Sequence, residues 1–305
     1  MAVGIFLLWY GAEWIVDSAS AVARRFQVSE LVIGLTVVAM GTSAPEFLVT
    51  FTAALKGMAD ISLANVVGSD IFNLGMILGL MALIRPIPTH PTLLWRDGGM
   101  LFAVVAATLL MARDGTLSHG EGVVLTATFV GYLGWLIVRR RHGLPDPTAP
   151  DEADDTHRKA AWTDYPKLLL GFGAISLGSN LLVDGASFVA LRFGVSQWAI
   201  GLTIVGAGTS LPELVTCLSA SLKGKNDMLL GNLVGSDFFN FAGVLGVTCL
   251  MRPLAVSAQA LPGLYVLVGA VALVLLFMRT GWRISRVEAV ALIVLNLFRW
   301  GMAFA

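Results

Sequence analysis

Two six-residue stretches hold the groups able to do chemistry: Gly41-Thr42-Ser43-Ala44-Pro45-Glu46 and Gly208-Thr209-Ser210-Leu211-Pro212-Glu213. Each sets two hydroxyls and one carboxylate around a helix-breaking Gly and Pro. All are oxygen donors with no thiolate or imidazole beside them, a set that suits hard cations such as Na⁺ and Ca²⁺ and disfavours Zn²⁺ or copper. Proline removes a backbone donor and clashes with the preceding turn. The carbonyl of Ala39, one turn before Ser43, is therefore expected to be freed as a further ligand. Downstream, Ser69 and Asn73 stand four apart and share one helical stripe, and Ser236 and Asn240 repeat the arrangement. Asp70 and Asp237 adjoin these serines but lie about 100° around the helix from them. They sit at the edge of such a site, as cation ligands or as structural acids bonded to a neighbouring helix.

The elements that position these groups are membrane spans. The 305 residues are 56% hydrophobic and 13% charged, with a mean hydropathy of +0.80; soluble domains carry about 25% charged residues. Apolar runs of about 20 residues recur throughout, the pattern of a polytopic helical membrane protein. Ten spans fit, near 2–23, 31–55, 60–84, 92–112, 119–139, 165–191, 197–222, 227–251, 260–278 and 286–304. The first run contains Glu13 and Asp17 and reads as a retained span rather than a cleaved signal peptide. Cys217 and Cys249 lie in apolar runs and read as small buried hydrophobes. The segment 140–164, with three prolines and the acids Asp151, Glu152, Asp154 and Asp155, reads as a solvated linker and lacks the Gly-punctuated pattern of a calcium loop. Loops after odd-numbered spans hold fifteen Lys and Arg against five on the other side. By the positive-inside rule the central loop is cytoplasmic and both termini face out.

A carboxylate at mid-membrane costs about 2.5–3.5 kcal/mol on insertion scales and is retained for function by default. Here two stand in matching positions of an internal repeat. Adding 167 to any position from Gly11 to Pro86 lands on its counterpart between Gly178 and Pro253 without a gap, and about half of the pairs are identical. Each half holds five spans, an odd number, so the second half (165–305) enters the membrane inverted relative to the first (1–139). Inverted repeats mark secondary transporters, with substrate bound near the midplane by broken helices. Non-helical backbone at that depth is tolerated only where it is buried in protein or lines a cavity. The expected fold is thus all-α, with helices 2, 3, 7 and 8 broken around one ion site. Glu46 and Glu213 would share a cage of oxygens sufficient for one Ca²⁺ or several Na⁺. Two carboxylates neutralise one Ca²⁺ while three Na⁺ leave a positive charge. Such exchange moves net charge, on which voltage acts at about 2.3 kcal/mol per charge per 100 mV.

At these residues the chain resembles the sodium/calcium exchangers of the calcium/cation antiporter superfamily, prokaryotic type, over nearly its whole length. The motif pattern carries over at Ala39, Thr42, Ser43, Glu46, Ser69 and Asn73, and at Gly206, Thr209, Ser210, Glu213, Ser236 and Asn240. The resemblance implies that Glu46 and Glu213 are carboxylates shared by Ca²⁺ and Na⁺, and that Thr42 and Thr209 help to hold Ca²⁺. It implies flanking Na⁺ sites completed by Ser43, Ser69, Ser210 and Ser236 with the backbone at 39 and 206. It also implies sliding of spans 1 and 6, giving Glu13 and Asp17 a gating part. Some relatives carry Asp where this chain has Asn240, and Asn is the residue more often expected at 70 and 237.

The resulting expectation is Na⁺-driven Ca²⁺ antiport by alternating access in the inner membrane of a prokaryote, with a cation/proton antiporter on the same fold as the alternative. The ions and the lipid bilayer are the expected partners, with no nucleic acid, protein partner or cofactor. An intramembrane hydrolase using Ser43 or Asp70 is disfavoured, since no His shares a span with Ser43 and no Gly-x-Gly-Asp occurs. A passive channel would show neither counter-ion dependence nor competition between the ions.

Overall fold

The computed structural model describes residues 2–141, 161–193, 206–258 and 260–304. Most of the proposed linker and the start of the seventh span, with the Ile200-Gly201-Leu202-Thr203 repeat segment, lie outside the described residues. The chain is mostly helical. Its helices are α1 (Ala2–Arg25), α2 (Glu30–Thr42), α3 (Ala44–Leu55), α4 (Ala59–Ile84), α5 (Leu93–Asp114) and α6 (His119–Arg141). There follow α7 (Asp164–Arg192), a short turn at Gly206–Gly208, α8 (Leu211–Leu222), α9 (Asn226–Met251), α10 (Leu261–Arg279) and α11 (Arg286–Phe304). Five of these are long and apolar enough to cross a bilayer, six with the bent pair α2 and α3. The side chains are distributed inside out relative to a soluble protein. Glu46, Asp70, Glu213 and Asp237 are buried while Leu48, Leu110, Leu169 and Leu276 are exposed, the arrangement lipid selects.

The expected breaks take two forms. At Ser43 (φ −81°, ψ 11°) the chain bends by 50° between α2 and α3. Ser210 takes nearly the same backbone (φ −89°, ψ 9°) at the start of α8, so the two motif copies break alike. Helices α4 and α9 instead keep their course. Only their hydrogen-bond register is broken, by π turns at Asn73–Ile77 and Phe239–Leu245. Such turns cluster at functional positions.

The contacts divide the chain into two compact units, Met1–Pro45 with Arg139–Asn232 and Glu46–Val138 with Leu233–Ala305. Each draws on both sequence halves. In the first unit α1 and α7 cross through paired glycines: a Cβ on Gly4 would meet the Gly178 carbonyl at 2.9 Å, and one on Gly11 the Gly171 carbonyl at 3.0 Å. The order of contacts makes the helices antiparallel, and the absence of side chains lets their backbones touch, the usual device of membrane helices. Gly34 of α2 and Gly231 of α9 do the same, with Cβ positions 2.7 Å from the Met228 carbonyl and 2.5 Å from the Leu31 carbonyl. The motif glycines serve side chains of α7 instead: Gly41 makes room for Phe172 and Gly208 for Val183.

In the second unit Gly79 of α4 packs on Ile293 of α11, and Gly246 of α9 on Thr126 of α6. Among the described residues four two-residue strands accompany the helices. β1 (Ile87–Pro88) pairs antiparallel with β4 (Arg283–Ile284), and β2 (Thr116–Leu117) with β3 (Leu254–Ala255). A shift of 167 carries β1 onto β3 and β2 onto β4, so each pair joins opposite halves of the repeat. The cysteines are free and buried as expected.

Candidate cation site

In the first unit a motif serine meets the opposite motif's carboxylate. Ser43 Oγ donates to Glu213 Oε1 at 2.8 Å, and both residues are fully buried. Thr42 Oγ1 lies 3.2 Å from both the Ala39 carbonyl and Asn232 Oδ1. Its single proton serves one of the two at a time. Ser210 is buried at the head of α8, Thr209 is half-buried beside it, and Ser179 of α7 donates to the Gly208 carbonyl at 2.6 Å. Gly206 begins the short turn before them.

The expectation of a freed Ala39 carbonyl is corrected. That carbonyl accepts the Ser43 N–H at 3.0 Å. A proline withdraws the donor from the carbonyl four residues before it, and four before Pro45 is Gly41. Ala39 is buried, and its carbonyl also lies within reach of the Thr42 hydroxyl.

The second unit, taken by itself, holds Glu46 in the first turn of α3, where the helix dipole favours an anion, and the stripes of α4 and α9. Asn65 Nδ2 donates to the Glu46 carbonyl at 3.3 Å and to Thr50 Oγ1 at 3.0 Å. Ser69 Oγ donates to the Asn65 carbonyl at 2.7 Å, with the Val66 carbonyl at 3.1 Å, the back-bond of a hydroxyl in a membrane helix. Asn73 Nδ2 donates to Asp237 Oδ1 at 2.9 Å and Asn240 Nδ2 to Asp70 Oδ1 at 2.8 Å. Ser236 is buried one residue before Asp237. Asn296 of α11 donates to the Ile71 carbonyl at 2.8 Å, immediately before the π turn.

Asn65, Asn232 and Asn296 were not among the expected site residues. The first two are counterparts at the 167-residue offset, and so are their partners: Asn232 Nδ2 reaches Cys217 Sγ at 3.4 Å, where the other half has Thr50. Amides at matching positions of the repeat were a readable signal. Asn296 had none from the repeat, since its counterpart is Phe129. Asp17 is held by Lys223 at 2.6 Å, and Glu30 by Lys225 at 2.6 Å. Among the described residues no three His, Cys, Asp or Glu side chains form a metal-binding group. The donor set is hydroxyl, amide, carbonyl and carboxylate oxygen, suited to hard cations.

A helical membrane chain with duplicated, broken, acid-bearing helices belongs to the class of secondary transporters. The sequence profile of the family described as Sodium/calcium exchanger protein matches residues 1–138 and 167–298, and the chain belongs to that family. It is 38% identical over 298 residues to CaxA of Alkalimonas amylolytica, an antiporter by name, covering 96% of this chain and 93% of that one. It is 32% identical over 330 residues to the sodium/calcium exchanger MaX1 of Methanosarcina acetivorans, covering 96% and 94%. The solved sodium-calcium exchanger NCX_Mj superposes with a TM-score of 0.84 at 33% identity, covering 97% of this chain and 95% of that one. The protein is an integral membrane cation antiporter, and its family and fold are those of transporters, not enzymes.

Proposed function

We propose that the chain exchanges Na⁺ for Ca²⁺ by alternating access, electrogenically. Its cation ligands are Thr42, Ser43, Thr209, Ser210 and Glu213 with the backbone at 39 and 206, and Glu46, Ser69, Asn73, Ser236 and Asn240. The observation that carries this reading is the Ser43–Glu213 hydrogen bond, which joins the two motif copies at a buried carboxylate. A carboxylate so placed binds either ion, and occupancy by one excludes the other, the requirement for exchange. A hydroxyl that donates its proton to a carboxylate still offers oxygen lone pairs to a cation.

The proposed setting is a prokaryotic inner membrane with the central loop inside and both termini outside. Ten spans in two inverted halves, 1–139 and 165–305 around a linker at 140–164, supply that topology. Supporting it, β1 and β4 join loops assigned to the inner side and β2 and β3 loops assigned to the outer side. Arg252, on an outer loop, reaches the Leu55 carbonyl at 2.8 Å near another.

The deciding experiment is ⁴⁵Ca²⁺ uptake into Na⁺-loaded proteoliposomes, with and without a proton ionophore. The expected result is uptake that needs internal Na⁺, survives the ionophore, grows with an inside-positive K⁺ diffusion potential, and is lost in Glu213→Gln. Uptake indifferent to Na⁺ and abolished by the ionophore would assign the coupling to protons instead.

A further inference from the structure

Asp70 and Asp237, the two acids at the edge of the stripes, each meet the asparagine of the opposite half. Asn73 donates to Asp237 and Asn240 donates to Asp70, at 2.9 and 2.8 Å. The 167-residue offset turns one bond into the other, so the arrangement is a reciprocal clamp built wholly within the second unit. All four side chains are buried.

An asparagine amide has two faces with opposite meaning for a cation. Its oxygen is a ligand, and its NH₂ presents protons that repel one. The two orientations fill the same volume, so only the hydrogen-bond partners choose between them. A carboxylate accepts and, when ionised, cannot donate; it holds the NH₂ face and turns the oxygen away from itself. Among the described residues the Asn73 Oδ1 and Asn240 Oδ1 atoms are buried without a hydrogen-bond partner. Buried polar oxygens are rarely left so, and unused oxygens on paired amides are what a hard cation would occupy.

We propose that Asp70 and Asp237 are the positioning residues of the cation site: each fixes the amide of the opposite half's asparagine so that the carbonyl oxygens of Asn240 and Asn73 are presented to the ion. This rests on the cation reading above. It gives the two acids a role distinct from that of Glu46 and Glu213, and it links the halves, because loss of an acid in one half disorders a ligand carried by the other.

The test compares Asp70→Asn, which keeps an acceptor and loses the charge, with Asp70→Leu, which loses both. Equilibrium dialysis of ⁴⁵Ca²⁺ against the purified full chain in detergent reads affinity, and Na⁺-dependent uptake in proteoliposomes reads KM and maximal rate. D70N is expected to stay within about threefold of wild type in Ca²⁺ affinity. D70L is expected to weaken it at least tenfold, through KM, with the maximal rate changed less than twofold. Asp237→Asn and Asp237→Leu should repeat the pattern. Equal loss in D70N and D70L makes the acid a direct charged ligand and overturns the proposal, and so does a D70L affinity equal to wild type. Should D70L fail to give a monodisperse protein, a folded D70N that has lost affinity overturns it alone, and a D70N that retains affinity supports it. Failure of the exchange reading shows elsewhere, as wild-type protein that binds Ca²⁺ but does not couple its uptake to Na⁺. Wild-type protein that binds no Ca²⁺ overturns both.

Discussion

Ser43 and Glu213 are 170 residues apart in sequence and share a 2.8 Å hydrogen bond in which the hydroxyl donates to Oε1. A hydrogen bond to an ionised group contributes about 1.5–3 kcal/mol when both partners are buried. In Ser43→Ala the carboxylate loses this donor and the proposed Na⁺ ligand set loses an oxygen. The Na⁺ concentration for half-maximal ⁴⁵Ca²⁺ uptake is expected to rise about tenfold, while Ser43→Thr, which keeps the hydroxyl, restores most of it. Equal Na⁺ dependence in S43A and wild type would remove Ser43 from the ligand set.

Asn232 sits behind Thr42, with its oxygen toward the threonine and its NH₂ toward Cys217. Replacing it by Leu keeps the volume and removes both bonds. Thr42 then keeps its bond to the Ala39 carbonyl and loses the one to Asn232. Leaving buried polar partners unsatisfied costs about 1–3 kcal/mol, so the melting temperature in detergent should fall by several degrees. Ca²⁺ KM should rise with it. Cys217→Thr reproduces the Asn65–Thr50 pair of the other half and offers Asn232 an oxygen in place of sulfur, so its melting temperature is expected to equal or exceed that of wild type.

Much of this was legible in the sequence, because the chemistry is written twice. The 167-residue offset identified matching carboxylates, hydroxyls and amides, and their type restricted the ligand to hard cations. The span pattern required helices, and Gly with Pro in each motif required breaks. What escaped reading was the partner of each group. The offset marks Asn65 and Asn232 as equivalent, yet only coordinates reveal that one holds the Glu46 carbonyl and the other the Thr42 hydroxyl. The Ala39 error arose in the same way, from assigning the effect of Pro45 to the wrong carbonyl. Gly41 and Gly208 were read as breakers, but they also clear space for Phe172 and Val183, a tertiary requirement that no local pattern contains. Asp70 and Asp237 could not be assigned from rotation about a helix, since their role depends on an asparagine in the opposite half.

The α1–α7 crossing makes a prediction with an internal control. A Cβ at Gly178 would lie 2.8 Å from the Gly4 carbonyl, whereas one at Gly173, on the same helix, meets nothing within 4 Å. Gly178→Ala must separate two backbones, and overpacking of this kind typically costs about 1–3 kcal/mol. Gly173→Ala has no such conflict and gains helix propensity. Thermal unfolding of the purified protein should show G178A lowered by several degrees and G173A unchanged or raised. Equal behaviour of the two would deny the close contact of α1 and α7.

Asn296 reaches from the last helix to the π turn of α4. It donates to the Ile71 carbonyl at 2.8 Å, and a Cβ on Gly75 would collide with it at 2.4 Å. Gly75 therefore exists, in part, to admit this amide. The corresponding position in the first half is Phe129, whose ring lies 5.3 Å from that of Phe239 at the other π turn. One turn is braced by a hydrogen bond and its counterpart by aromatic packing. Asn296→Leu removes the donor within a buried segment that carries Ser69 and Asn73, at a cost of about 1–3 kcal/mol. Because Ile71 lies between those two residues, the substitution should raise Ca²⁺ KM as well as lower the melting temperature. Phe129→Leu, which only trims packing, should lower the melting temperature with KM unchanged. Parallel uptake and melting measurements separate the two effects, and a Ca²⁺ KM in N296L equal to that of wild type would confine Asn296 to stability.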